Sequence, residues 1–227
     1  MKINTPDRYD IEARYVPALV CTIPFLFLGF YYLNGLDSAF WRSTFAVNVG
    51  SISFSSAIFF MLVHFCRAIG KAIEEKIYRD GLSFPTTEFL LDNNTSLSKE
   101  RKSEIIKKVN DKFGVDITNR TGNTDTNRLL IHECVSQIRS VLRKNNPMIL
   151  QRNIQFGFAK NLLGGSVLAF FTSTFGLAAS VAASNNQATR VSFVLICCYS
   201  VLVLASFLLM RLAAKHYAHT LYEEFLG

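Results

Sequence analysis

Histidine, cysteine and acidic side chains are the residues of this chain that could bind a metal or transfer a proton. His216 and His219 lie three positions apart near the end of the chain, and Glu223 follows four positions later. This spacing places all three on one face of a helix, where they could hold a metal ion. We favour the alternative, in which they are titratable surface groups of an interfacial helix.

The other histidines give weaker indications of chemistry. His132 is followed by Glu133 and Cys134, but adjacent helical residues point in different directions, which favours an ordinary transition from surface to core. His64 could be a proton-sensitive group or could cap the interior of a helix bundle. The chain has neither a phosphate-binding GxxxxGK motif nor a GxSxG nucleophile motif. We therefore expect no enzyme activity, no metal site and no cofactor.

The cysteines do not form a pattern typical of a disulfide framework or a metal site. They are odd in number, contain no CxxC pair, and mostly lie in apolar runs, where cysteine behaves as a small hydrophobic residue. The sequence therefore predicts that they are free thiols. They are Cys21, Cys66, Cys134, Cys197 and Cys198.

Long uncharged runs identify the class of protein. Half of the residues are hydrophobic and only 18% are charged, whereas globular proteins average about a quarter charged. The run that follows Lys160 has more than twenty residues without a charge, enough to cross a hydrocarbon core of roughly 30 Å as a helix. Similar runs predict an all-α polytopic membrane protein with four transmembrane helices in two hairpins and a cytoplasmic helical insert.

Charge and composition divide the predicted protein into five segments. Residues 1–14 form an N-terminal segment, 15–66 the first membrane hairpin, 67–160 the helical insert, 161–211 the second hairpin, and 212–227 an amphipathic tail. Pro17 and Pro24 interrupt the first span, where neighbouring helices must pair the carbonyls that the prolines free. We expect Pro24 to kink this helix.

The insert is predicted to contain several helices with recognisable ends. Pro85 begins a short helix with Thr86 or Thr87 as its cap, and a second helix runs from a cap at Ser98 to Gly114. A third helix is expected over 127–145, and a fourth begins near 148 and continues into the third span.

The distribution of Lys and Arg predicts the orientation. The segment 67–160 has 17 of these residues, the first fourteen positions have three, and each short turn between spans has one. The positive-inside rule therefore places both termini and the insert in the cytoplasm.

Small and hydroxyl residues recur along the second and third spans. They allow helices to approach closely and to form hydrogen bonds across the contact. Packing within one chain is the favoured interpretation, and self-association into a homo-oligomer that encloses a polar path is compatible with it. The candidate helix-packing or pore-lining residues are Gly50, Ser53, Gly165, Ser173, Gly176 and Ser180.

A cluster of basic residues lies on the second helix of the insert. Contact with anionic lipid headgroups is the favoured interpretation, because such lipids attract basic residues next to a membrane. Contact with nucleic acid is the alternative. The cluster consists of Lys99, Arg101, Lys102, Lys107 and Lys108.

Three short motifs in sequence order resemble those of a group of bacterial membrane proteins. They are FPTTEFLL at 84–91, SLS at 96–98 with Arg101, and NIQFGFAKNLLG at 153–164, followed by a tail that contains Tyr217 and Tyr222. Some proteins of this group are membrane effectors encoded beside reverse transcriptases in retron anti-phage systems. The chain departs from the usual pattern at Ala159 and Lys160, where two basic residues are expected.

The resemblance implies a toxic effector that a cytoplasmic reverse transcriptase with its RNA–DNA product holds silent. On release, the effector would disrupt the inner membrane and abort phage infection. The motif residues would form a collar that couples the insert to the membrane: Phe84, Pro85, Asn153, Phe156, Gly157 and Asn161. The alternative is a non-toxic membrane anchor or scaffold that recruits a cytoplasmic complex.

Overall fold

Helices account for nearly all of the part of the chain that the structure describes. The structure is a computed structural model that describes residues 8–33, 44–117, 125–142 and 146–227, with the side chains of 30–33 and 44–55 outside the description. No strand occurs in these ranges.

Seven helices, which we number in chain order, make up the described part. The first, α1, is a composite of Arg8–Asp10, a π-helical segment Ile11–Tyr15, Val16–Cys21 and, after a turn at Thr22, Ile23–Leu33. The others are α2 (Thr44–Tyr78), α3 (Pro85–Glu88), α4 (Lys99–Phe113), α5 (Asp125–Leu142), α6 (Pro147–Ala182) and α7 (Asn186–Leu226). A 3₁₀ turn, Arg79–Gly81, follows α2.

Four helical segments are long and apolar enough to cross a membrane. They are Arg8–Gly29, Ser56–Glu88, Pro147–Ala182 and Asn186–Leu226. The prediction of an all-helical protein with four candidate membrane spans is confirmed.

The chain divides into two compact units. Unit 1 comprises 1–71 and 157–208, and unit 2 comprises 72–156 and 209–227. Helices α2, α6 and α7 each contribute residues to both units.

Unit 1 has its small and polar residues inside and its large apolar residues outside. Its buried residues include Ala18, Asn161 and Ser173, whereas Phe175, Val201 and Leu204 have more than 65% of their surface exposed. Such an arrangement would be unfavourable in water but matches a membrane protein, in which lipid covers the outer surface and small residues mediate helix contacts. Side-chain distribution therefore supports a membrane location for unit 1.

Unit 2 has the opposite arrangement, with an apolar core of its own. Phe89, Leu90 and Leu91 after α3 pack with Ile105 and Val109 of α4. Residues of α5 and the end of α7 complete the core, namely Ile131, Cys134, Val135, Ile138, Ala218, Leu221, Tyr222 and Phe225. This arrangement is typical of a water-facing helical domain.

Several predicted helix ends are confirmed. Ser98 caps α4, because its Oγ accepts a hydrogen bond from the amide of Arg101 at 3.2 Å. Gly114 ends the same helix with a φ of 67°, a left-handed conformation that glycine adopts without strain. The helix predicted to begin near 148 and continue into the third span is α6.

One local prediction was wrong. Thr86 and Thr87 do not cap α3: they lie inside it, fully buried, and the N-cap position belongs to Phe84. The predicted tail, 212–227, is the last part of α7, which continues without a break from Asn186 to Leu226.

Candidate functional site

Asn161 pairs a backbone carbonyl of α1 that lies close to a proline. Ala13 belongs to the π-helical segment of α1, four positions before Pro17, which has no amide proton to donate. The Nδ2 of Asn161, on α6, donates to the Ala13 carbonyl at 2.6 Å, and both residues are almost fully buried. The bond fixes α1 against α6, and among the described residues the buried Oδ1 of Asn161 has no partner.

Tyr199 performs the same role for the second proline of α1. Pro24 cannot donate to the Val20 carbonyl, and the Tyr199 hydroxyl on α7 donates to that oxygen at 2.8 Å. Thr22 marks the break in the helix, and its Oγ1 bonds to the Ala18 carbonyl at 2.8 Å. Neighbouring helices thus pair carbonyls close to both prolines, as expected, and the helix is interrupted at Thr22, two positions before Pro24.

One face of α6, which we call the small-residue face, lies in the interior of unit 1. It consists of Asn161, Gly165, Ala169, Ser173, Gly176 and Ser180, spaced three or four positions apart. All six are buried. This spacing keeps them on the same side of the helix, so they form a continuous stripe along it.

Residues from three other helices cover this face. A Cβ on Gly165 would lie 2.7 Å from the Sγ atoms of both Cys21 and Cys66, and a Cβ on Gly176 would lie 2.9 Å from Leu28. Thr189 Oγ1, at the start of α7, donates to Ser180 Oγ at 3.2 Å. The structure thus places Gly165, Ser173, Gly176 and Ser180 in packing contacts within one chain, and a pore-lining role for them in an assembly stays a prediction.

A close backbone approach between α2 and α6 involves two glycines that the sequence analysis did not select. A Cβ on Gly70 of α2 would lie 2.5 Å from the Lys160 carbonyl oxygen, and a Cβ on Gly164 would lie 2.5 Å from the Gly70 nitrogen. Only glycine fits at both positions. The adjacent glycines Gly164 and Gly165 are the feature of the sequence from which this close helix contact could have been predicted.

In unit 2 the FPTT segment is the centre of a polar and aromatic cluster. The Thr86 carbonyl accepts from the Tyr222 hydroxyl, and the Thr86 Oγ1 accepts from Arg139 at 3.0 Å. The Arg139 guanidinium lies 5.5 Å from the Phe84 ring and 5.6 Å from the Tyr217 ring. The first and last of the sequence motifs, FPTT and the tyrosine-containing tail, therefore meet in one core.

The six predicted collar residues divide between the two units. In unit 2, Phe84 packs edge-on against Phe156 with ring centroids 5.4 Å apart, Pro85 is buried and Asn153 is half-buried. In unit 1, a Cβ on Gly157 would lie 3.0 Å from the Tyr9 hydroxyl oxygen, and Asn161 holds Ala13 as described.

Only three of the five predicted basic residues are exposed to solvent. Lys99, Arg101 and Lys107 are exposed, but the Lys102 Nζ is buried and donates to the carbonyls of Leu91 at 2.6 Å and Asn94 at 2.5 Å. Lys108 donates to the Leu226 carbonyl at 2.9 Å. Two of the five cations therefore stabilise unit 2 itself.

The candidate chemical residues from the sequence do not converge in the described ranges. His64 and His216 are exposed, and His219 packs on the Phe89 ring with centroids 4.7 Å apart. Within these ranges no group of three or more His, Cys, Asp or Glu could hold a metal ion. Gly50 and Ser53 belong to α2, but their side-chain surroundings lie outside the description.

His132 lies against the turn after α2. Burial, together with the charge of Arg139, lowers the pKa of its imidazole below the ordinary value of 6.5. Gly81 has a φ of 95°, and a Cβ there would lie 2.5 Å from the imidazole. The neutral imidazole therefore packs on a turn that requires glycine.

Comparisons with family models, curated proteins and solved structures found no match to this chain. The geometry itself offers hydrogen bonding between helices, close helix contacts and a polar stripe inside an apolar unit. These features suit close packing of helices in a membrane.

Proposed function

We propose that this chain is a membrane-embedded effector of a bacterial anti-phage system, which disrupts the inner membrane when its helices leave the closed arrangement. The proposal rests on buried polar atoms in unit 1 that have no hydrogen-bond partner among the residues that the structure describes. They are the Oδ1 of Asn161 and the Oγ of Ser192. An unpaired polar atom in an apolar interior costs free energy, which favours a second arrangement in which water or another copy pairs it.

Withdrawal of α1 is the step by which such an arrangement would form. It would free the amide of Asn161 and the hydroxyl of Tyr199, and it would uncover Gly165 and Gly176, which now contact α1 side chains. The small-residue face would then be available to other copies. A homo-oligomer built on this face would enclose a path lined by amide and hydroxyl groups.

The topology in this proposal has two membrane hairpins, with both termini and the helical insert in the cytoplasm. The concentration of Lys and Arg in segment 67–160 supports it through the positive-inside rule. Unit 2 would then be the part that senses the cytoplasm.

The silencing partner in this proposal is a reverse transcriptase with its RNA–DNA product, on the basis of the motif resemblance. The exposed cations Lys99, Arg101 and Lys107 of α4 are available for phosphate groups of such a product or of lipid headgroups.

A scaffold function is the second candidate, and one observation favours it. Unit 2 exposes five large apolar side chains, each at least 36% exposed, on α5 and at the start of α6. They are Leu129, Leu130, Val141, Met148 and Leu150. Exposed apolar side chains are candidate contacts for another protein, so unit 2 could recruit a cytoplasmic complex without any toxicity.

Release of dyes of graded size from lipid vesicles distinguishes the two functions. We expect the purified chain to release the small dye, and Gly165→Leu to reduce release because a leucine on the small-residue face would prevent other copies from packing there. Ala178→Leu, at an exposed position of the same helix, is the matched control and should behave as the wild type. Intact vesicles with correctly inserted wild-type chain would favour the scaffold.

A further inference from the structure

Cys21 and Cys66 form a buried thiol pair between α1 and α2. Both residues have at most 1% of their surface exposed, and both belong to the apolar core of unit 1. Their Sγ atoms both lie 2.7 Å from the same point, the position of a Cβ on Gly165, so the two sulfurs are within twice that distance of each other. Because Gly165 has no side chain, the two sulfurs can meet there.

We infer that Cys21 and Cys66 are a redox modification site, oxidised by a hydroperoxide to a disulfide that links α1 to α2. One thiol, as its thiolate, attacks a hydroperoxide oxygen; the O–O bond breaks, and water or an alcohol leaves with the proton. The resulting sulfenic acid is attacked by the second sulfur, so that the S–S bond forms and the S–O bond breaks with loss of water. The two sulfurs supply the two electrons that reduce the peroxide.

The proximity of their sulfurs distinguishes Cys21 and Cys66 from the other cysteines of the chain. Cys134 is buried in the core of unit 2, whereas Cys21 and Cys66 belong to the core of unit 1. Cys197 and Cys198 are exposed on α7. Thiols in a reducing compartment do not carry structural disulfides, and the ones that oxidise there act as sensors. The apolar surroundings of Cys21 and Cys66 also favour an apolar hydroperoxide, such as that of a lipid, over hydrogen peroxide.

The disulfide has a structural consequence for α1. It would add a covalent bond to a helix that Asn161 and Tyr199 now hold by hydrogen bonds. If the proposed function is correct, oxidation keeps the protein in the closed arrangement. This consequence rests on the proposed function, whereas the disulfide itself does not.

Peptide mapping by mass spectrometry tests the site directly. Membranes that contain the full chain are treated with cumene hydroperoxide or with hydrogen peroxide, and the remaining thiols are then alkylated. We expect a Cys21–Cys66 linkage, loss of two alkylatable thiols per chain, and a higher yield with cumene hydroperoxide. Cys66→Ser should abolish the linkage, and the double variant Cys197→Ser/Cys198→Ser should retain it.

Gly165→Ala gives a second test, because a methyl group at this position would separate the sulfurs and should lower the yield. A higher yield with hydrogen peroxide than with cumene hydroperoxide would assign the modification to soluble peroxide and overturn the preference for an apolar oxidant. Linkages confined to Cys197 or Cys198, or complete alkylation of Cys21 and Cys66 after oxidation, would overturn the site. Neither result depends on whether the protein permeabilises membranes.

Discussion

Individual hydrogen bonds between side chains and proline-freed carbonyls hold α1 in unit 1. Asn161 reaches Ala13 opposite Pro17, and Tyr199 reaches Val20 opposite Pro24. In an apolar interior such carbonyls have no water to pair with. Because the prolines supply no amide proton, a side chain of another helix must donate instead. The prolines are visible in the sequence, but their partners depend on tertiary packing and could not be predicted from it.

A double-mutant cycle tests the pairing of Asn161 with Pro17. Asn161→Leu should destabilise unit 1 by about 1 kcal/mol, the scale of interhelical polar bonds in membrane proteins. Pro17→Ala restores an amide proton that can pair the Ala13 carbonyl within α1, so Asn161→Leu should cost less in that background. Thermal unfolding in detergent measures both effects, and equal costs in the two backgrounds would contradict the pairing.

His132 predicts how the stability of unit 2 depends on pH. Its folded-state pKa is lowered, so the unfolded chain binds the proton more readily, and stability is lost as pH falls through 6.5 towards the folded pKa. The midpoint temperature of thermal unfolding should therefore be lower at pH 5 than at pH 8, and His132→Gln should make this difference smaller. His216→Gln, at an exposed histidine, is the control; an unchanged acid slope in His132→Gln would refute the assignment.

At the scale of elements, the connection between α3 and α4 depends on a buried lysine. Lys102→Met should remove two hydrogen bonds to the carbonyls of Leu91 and Asn94 and destabilise unit 2 by about 1–3 kcal/mol. Lys107→Met, on the exposed side of the same helix, should change stability by less than about 0.5 kcal/mol. Chemical denaturation of the full chain compares them, and similar effects would contradict a structural role for Lys102.

Local sequence signals predicted helix ends where the capping chemistry is local. Ser98 and Gly114 act within four residues of themselves, so their patterns were sufficient. Thr86 and Thr87 follow the same pattern, but Tyr222 and Arg139 bond to Thr86 from distant parts of the chain and draw it into the core. Likewise, the sequence of α4 shows five basic residues but not that Lys102 and Lys108 donate hydrogen bonds to backbone carbonyls.

At the scale of the whole molecule, the proposed topology predicts which exposed positions face the outside of the cell. In a chain without its native cysteines, Asn186→Cys should react with a membrane-impermeant maleimide in intact cells, whereas Lys107→Cys should react only after lysis. The physical reason is the positive-inside rule applied to the insert. Labelling of Lys107→Cys in intact cells would show that the insert is outside.

The architecture was predictable at this scale because long apolar runs determine candidate spans by length alone. Which residues belong to each unit could not be predicted, because residues 209–227 join the core of unit 2 through contacts with distant parts of the sequence. The functional hypothesis came from short motifs. Two of them, FPTT and the tyrosine-containing tail, meet around Thr86 and have a structural role there.

Membrane potential in living bacteria, recorded with a voltage-sensitive dye after induction of this chain alone, tests the central claim most directly. We predict a rapid loss of potential that Gly165→Leu weakens at equal expression, while Ala178→Leu leaves it unchanged. An undiminished potential with the wild-type chain correctly inserted at high expression would contradict a membrane-disrupting effector.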